Sequence, residues 1–131
     1  MGNRFRKISI ALFCIYIAAV ILLCLIKTDS LPELPKSFLG IPLDKLIHFI
    51  MFFPFAILGY CTFHPADAGF WRKAAVLAII LVAGSAFAFS TERLQAMTSY
   101  RSSEVMDMAA DGCGLAAGAV LTLIYIATTR K

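Results

Sequence analysis

The sequence predicts an all-α fold: a polytopic membrane protein, built as a four-transmembrane-helix bundle with both termini cytoplasmic. Three observations carry that prediction. They are an excess of apolar residues, four apolar runs of spanning length, and an uneven division of basic residues between the loops. Of the 131 residues, 60% are apolar and 15% charged. A soluble domain holds about 45–50% apolar and about 25% charged residues. A chain this short has too much surface for its volume to hide such an excess from water. The same composition excludes intrinsic disorder, which requires low hydrophobicity and high charge.

A helix needs about 20 apolar residues to cross ~30 Å of hydrocarbon. The first run covers residues 8–26, bounded by Arg6, Lys7 and Lys27. The second covers 46–63, between Lys45 and the His64-Pro65 pair. The third covers 74–95; it is apolar through Phe89, and its helical pattern continues across Glu92 and Arg93 to Gln95. The fourth covers 107–129 and is closed by Arg130 and Lys131. None of these runs alternates in polarity, so they read as helices and not as barrel strands. The first run has the basic start of a secretory signal. However, its apolar stretch is long, no A-x-A site follows it, and Pro32 and Pro35 come next, so it is read as a retained span. Leu23 stands where a lipoprotein signal would place a small residue before Cys24. The 27–45 connection contains Pro32, Pro35, Gly40 and Pro42 and is expected to be irregular and to lie on the outer surface. No repeat or linker divides the chain, so residues 1–131 are read as one transmembrane domain.

Loop charge sets the orientation. Arg4, Arg6, Lys7, Arg72, Lys73, Arg130 and Lys131 fall on one side with Asp67 as the single acidic residue. Lys27, Lys36, Lys45, Arg93 and Arg101 fall on the other, among seven acidic residues. Counted as lysine and arginine alone, seven against five places both termini inside. The expected location is the inner (plasma) membrane, with the lipid bilayer as the first partner. The formal charge of +4 carries no basic run interleaved with aromatics, so nucleic acid is not an expected partner. Cys14, Cys24, Cys61 and Cys113 all lie within spans and form no C-x-x-C, which reads as small apolar filling.

In this topology the ionisable residues enter the bundle at the outer end. Asp44, Lys45 and His48 open the second span. Glu92, Arg93 and Gln95 close the third. Arg101 and Glu104 follow it, and Asp107 and Asp111 open the fourth. Residues at i, i+4 and i+7 share a helix face. Asp44, His48, Phe52, Phe55 and Gly59 therefore form one stripe. Gly84, Ala88, Glu92 and Gln95 form a second, and Asp107, Asp111, Gly114 and Gly118 a third. Small residues at four-residue spacing let helix backbones approach closely in lipid, so the faces bearing carboxylates are also packing faces. Glu92 lies 19 residues after Lys73, and Asp111 lies 19 before Arg130. That distance, about 28 Å at 1.5 Å per residue, puts both at the outer hydrocarbon boundary. The expected result is a polar cup open to the outside, above an apolar floor.

The segments Asp44-Lys45-Leu46-Ile47-His48, Glu92-x-x-Gln95, Arg101, and Asp107-x-x-x-Asp111-x-x-Gly114-x-x-x-Gly118 resemble the VanZ-like family of small bacterial membrane proteins. The six-residue steps from Gln95 to Arg101 and from Arg101 to Asp107 fit the family's pattern. One departure is Asp111, where the family usually has asparagine; a carboxylate mainly accepts hydrogen bonds, whereas an amide also donates them. The family is named for a protein associated with low-level resistance to the glycopeptide teicoplanin. The resemblance thus implies a role at the cell envelope.

The candidate ligand-binding residues are Asp44, Lys45, His48, Glu92, Gln95, Arg101, Asp107 and Asp111. Two readings stand side by side. In one, the carboxylates and Arg101 grip the polar head of an anionic or amphiphilic envelope ligand, Arg101 through its planar fork. In the other, Lys45, Arg93 and Arg101 neutralise the carboxylates and clamp the helix ends. His48 is expected to hydrogen-bond Asp44. No catalytic residue is assigned, because no serine or cysteine stands beside a base. With no H-x-x-x-H or H-E-x-x-H spacing, neither a metal nor a cofactor is expected. The function expected is binding of an envelope lipid headgroup or amphiphile, and the alternative is a membrane-embedded enzyme acting on an envelope lipid or glycolipid. A transporter is disfavoured by ionisable groups confined to one end, unless the chain forms a homo-oligomer.

Overall fold

The computed structural model describes residues 2–25, 37–97 and 105–129. Its elements run α1 (Asn3–Leu25), β1 (Ser37–Phe38), β2 (Ile41–Pro42), α2 (Leu43–Phe63), α3 (Phe70–Ala96) and α4 (Val105–Thr128). All four helices are long and apolar enough to cross a membrane. Each extends beyond its apolar run at the N-terminal end: α1 by five residues, α2 by three, α3 by four and α4 by two. The reason is physical. Hydropathy ends where charge begins, but a helix keeps its internal hydrogen bonds through the headgroup layer, where charged side chains are tolerated.

One part of the connection before α2 departs from the irregular path expected of it. β1 and β2 form an antiparallel hairpin in which Ser37 faces Pro42 and Phe38 faces Ile41. Its two-residue turn holds Leu39 at φ 53° and Gly40 at φ 80°. Left-handed backbone at both positions is the primed turn that matches strand twist. Gly40 adopts it freely; Leu39 adopts it against the steric preference of a branched side chain.

The helices alternate in direction. Tyr16 of α1 donates its hydroxyl to the Met51 carbonyl, and Phe13 stacks edge-on to Phe55 at 5.5 Å, which sets α1 antiparallel to α2. Gly59 of α2 lies against Ile80 and Phe55 against Gly84, so α3 is antiparallel to α2. Gly114 and Gly118 of α4 lie against the backbone at Phe49 and Phe53, so α4 runs parallel to α2. The core between them is Phe52, Phe55, Ala56, Ile80, Ala88, Leu115 and Ala119. The outward faces carry Ile15, Leu22, Ile79, Val82, Val120 and Ile124 exposed, the reverse of a soluble protein and suited to lipid. Ser85 and Thr122 return their hydroxyls to the carbonyls of Leu81 and Gly118, at 2.9 and 2.8 Å, as helix residues without other partners do. Among the described residues no cysteine forms a disulfide, and Cys14 and Cys113 lie on the exposed faces.

The α2–α4 contact generates a prediction. A methyl group at Gly114 or Gly118 would run into the carbonyl oxygen of Phe49 or Phe53, which is backbone and cannot rotate away. At Gly112 nothing lies within 4 Å of the added carbon. Alanine in a helix interior gains about 0.8–1 kcal/mol over glycine, whereas overpacking costs about 1–3 kcal/mol. Gly114→Ala and Gly118→Ala should therefore lower the unfolding midpoint in detergent, while Gly112→Ala holds or raises it. Equal midpoints for all three variants would contradict the close contact.

Candidate functional site

Three helices meet at one end with their polar side chains turned inward. His48 is the sixth residue of α2, Glu92 the fifth from the end of α3, and Asp111 the seventh of α4. Each lies about 6–9 Å inside its helix end at 1.5 Å per residue. His48 is the hub. Its Nδ1 is 2.7 Å from Asp111 Oδ1 and 3.9 Å from Glu92 Oε1, and its Nε2 is 3.6 Å from Asp107 Oδ2. Lys45, one turn back along α2, meets Asp107 Oδ1 and also lies 3.0 Å from Asp44 Oδ2. Gln95 is buried on the same face of α3 as Glu92.

The local sequence explains the convergence. Asp107, Asp111, Gly114 and Gly118 are all buried on one face of α4. The glycines let α4 approach α2 until the two carboxylates above them reach the imidazole. Ala88, Glu92 and Gln95 are buried in the same way on α3.

Two expectations are corrected here. His48 pairs with Asp111 and not with Asp44. The Asp44 side chain is 58% exposed beside Lys45, and the imidazole faces α4, where the close helix contact brings a carboxylate to it. Nor is the site an open cup: Glu92 is 1% and Asp111 0% exposed, and His48 and Asp107 are also buried. Tight packing at the glycines closes the cluster that the sequence pictured as a mouth. Arg93 is exposed. Arg101 and Glu104 lie outside the described residues.

Beside the cluster runs an apolar groove of about 280 Å³, lined by Ile41, Lys45, Leu46, Phe49 and Ala110. Lys45 is its one charged residue and is shared with the polar cluster. Apart from Lys45, these lining residues were not among the candidate ligand-binding residues read from the sequence. The available signal was Ala110, which stands four residues before Gly114 and extends the small-residue stripe of α4.

Chemically, the cluster surrounds one imidazole with three carboxylates within 4 Å. Such an arrangement can hold a proton, orient the ring, or bind a cation. His48, Glu92 and Asp111 each offer one donor atom, all within 4.8 Å of one another. The chain matches a family model described as VanZ/LLP1 over residues 10–126. No curated protein and no solved structure matches it.

The Lys45–Asp107 pair should act as a clamp between α2 and α4. Its side chains are 17% and 10% exposed, so removing one partner strands the other in a poorly solvated place. Breaking such a pair costs about 3–5 kcal/mol at full burial, and these two should fall near the lower figure. Lys45→Met should lower the unfolding midpoint in detergent, and adding Asp107→Asn to it should restore part of the loss. Additive effects of the two substitutions would show that no coupling exists.

Proposed function

Because the chain belongs to the VanZ/LLP1 family and is a multi-pass membrane protein, we propose that it binds an envelope amphiphile at the end of the bundle that carries the polar cluster. The observation that carries this reading is the shared position of Lys45. Its aliphatic stem lines an apolar groove, and its ammonium joins the charged cluster. An acyl or other apolar chain fits between Ile41, Leu46, Phe49 and Ala110, and the attached polar head meets Lys45. Arg101, six residues before Asp107 in the sequence, is assigned to the same head through its planar fork. An amphiphilic glycopeptide antibiotic has the same two-part chemistry as a lipid, which links this reading to the resistance phenotype that gives the family its name.

A second reading has its own support. The His48–Asp111 pair at 2.7 Å is a ready acid–base couple, and an enzyme acting on an envelope lipid would use it. The burial of both residues favours binding over turnover, because a substrate has no direct access to them.

The orientation belongs to the same proposal. With seven basic residues on the inner side, the cluster faces outward and both termini are cytoplasmic. A periplasm-dependent reporter fused to the C-terminus should give no signal, and a strong signal would reverse the assignment.

Binding is tested by filling the groove. Ala110 is half-buried on its wall, so Ala110→Trp should occupy the space with little change to the core. Protein in mild detergent is mixed with phosphatidylglycerol or phosphatidylethanolamine and examined by native mass spectrometry. Wild type should retain lipid and Ala110→Trp should retain at least about tenfold less, since losing the contacts of a few methylenes at about 0.8 kcal/mol each exceeds that factor. Equal retention with an unchanged unfolding midpoint would remove the groove from the proposal. Chemical change in the added lipid would favour the enzyme.

A further inference from the structure

The geometry points to a site for a divalent transition-metal cation, Zn²⁺ or Mn²⁺, held by His48 Nδ1 and the carboxylates of Glu92 and Asp111. This goes beyond the amphiphile reading and does not depend on it. The three donors come from three different helices, so no spacing within one helix announces them.

The distances suit a common ion. Donors bound tetrahedrally at about 2.0–2.1 Å stand about 3.3 Å from each other. The imidazole Nδ1 lies 2.7 Å from Asp111 Oδ1 and 3.9 Å from Glu92 Oε1, on either side of that value. The donors of all three residues lie within 4.8 Å of one another. The donors therefore already stand close to the separations that one shared ion would set.

An independent observation points to a missing ligand. Asp111 is fully buried, and its Oδ2 has no hydrogen-bond partner among the described residues. A buried carboxylate oxygen left without a donor costs about 1–3 kcal/mol or more, and native proteins satisfy such atoms. A cation bound through Asp111 Oδ2, alone or together with Oδ1, supplies that missing partner.

The surroundings of His48 also have the form of a metal site. With Nδ1 on the ion, the ring proton resides on Nε2, which faces Asp107 Oδ2 at 3.6 Å. Metal-bound histidines almost always direct their second nitrogen at a carboxylate, a carbonyl or water, which fixes tautomer and ring orientation. Asp107 is in turn held by Lys45. Lys45, Asp107 and His48 thus form a chain of support that ends at the proposed ion.

The donor set selects the class of metal. One imidazole with two carboxylates and no thiolate suits Zn²⁺ and Mn²⁺, whereas soft Cu(I) prefers sulfur. Ca²⁺ takes 6–8 oxygen ligands and Mg²⁺ keeps most of its water, so neither fits a buried set that includes nitrogen. Three protein ligands leave a coordination position open, as in sites that polarise a bound water or an incoming oxygen.

The test is metal binding by the full chain in detergent, with no activity required. Protein stripped with a chelator and desalted is titrated with ZnCl₂ or MnCl₂, and the bound metal is counted by mass spectrometry. One ion per chain is expected, with a raised unfolding midpoint that the chelator reverses. His48→Gln and Asp111→Asn should each weaken binding at least 100-fold. Asp107→Asn should weaken it by about 10–100-fold through loss of ring orientation. Asp67→Asn, an exposed acidic change in the connection between α2 and α3, should leave binding unchanged. Because the buried variants can fail to fold, an X-ray absorption spectrum of zinc-loaded wild type provides a second measure. Nitrogen and oxygen neighbours with imidazole scattering support the site. Sulfur neighbours, a folded wild type that binds neither ion, or a folded His48→Gln protein that binds as tightly as wild type would overturn it.

Discussion

The contact between the backbones of α2 and α4 is the constraint on which the rest of the bundle depends. Gly114 and Gly118 press against the carbonyls of Phe49 and Phe53, and no side chain intervenes. In lipid, association between helices draws little from the hydrophobic effect, and close van der Waals contact has to supply it. The same contact fixes the height of α4 against α2. Asp107 and Asp111 continue the glycine face by two turns and one, and at that height they reach Lys45 and His48. A longer separation between the axes would leave the carboxylates short of their partners. Packing and polar chemistry are therefore set by one stripe of α4.

The cluster is expensive to keep. Burying a carboxylate in a low-dielectric interior without compensation costs several kcal/mol, and here Glu92, Asp107 and Asp111 are all buried. Among the described residues, Lys45 serves Asp107 and Asp44, and His48 stands among three carboxylates. Apolar residues in these positions would pack more cheaply. Retaining charge there gives the end of the bundle a capacity for ions, protons or polar headgroups that an apolar plug lacks.

Much of this was legible in the sequence. Composition and the four apolar runs decided the class, because a bilayer admits few alternatives. The three stripes were also legible, since helical periodicity alone predicts which residues share a face: Phe52, Phe55, Gly59, Gly84, Ala88, Gln95, Gly114 and Gly118 are all buried. Partner choice was not legible. Asp44 and His48 share a stripe by spacing, yet the imidazole meets Asp111, 63 residues away, because distances between helices depend on how closely the axes approach. The closed form of the site was hidden for the same reason. The turn at Leu39-Gly40 was also invisible, since leucine is a poor predictor of left-handed backbone.

Finally, the polar groups sit near helix ends, and that position bears on biogenesis. Spans enter the bilayer as separate helices before they associate. With Asp107 and Asp111 in the first two turns of α4, and Glu92 in the last two of α3, each span can insert while its carboxylates remain hydrated among the headgroups. No charge has to rest in the middle of the hydrocarbon. Dehydration is postponed to the moment of docking, when Gly114 and Gly118 seat against α2 and the partners of each carboxylate arrive together. The placement separates insertion, which the translocation machinery performs on apolar segments, from the later and more selective event of assembly.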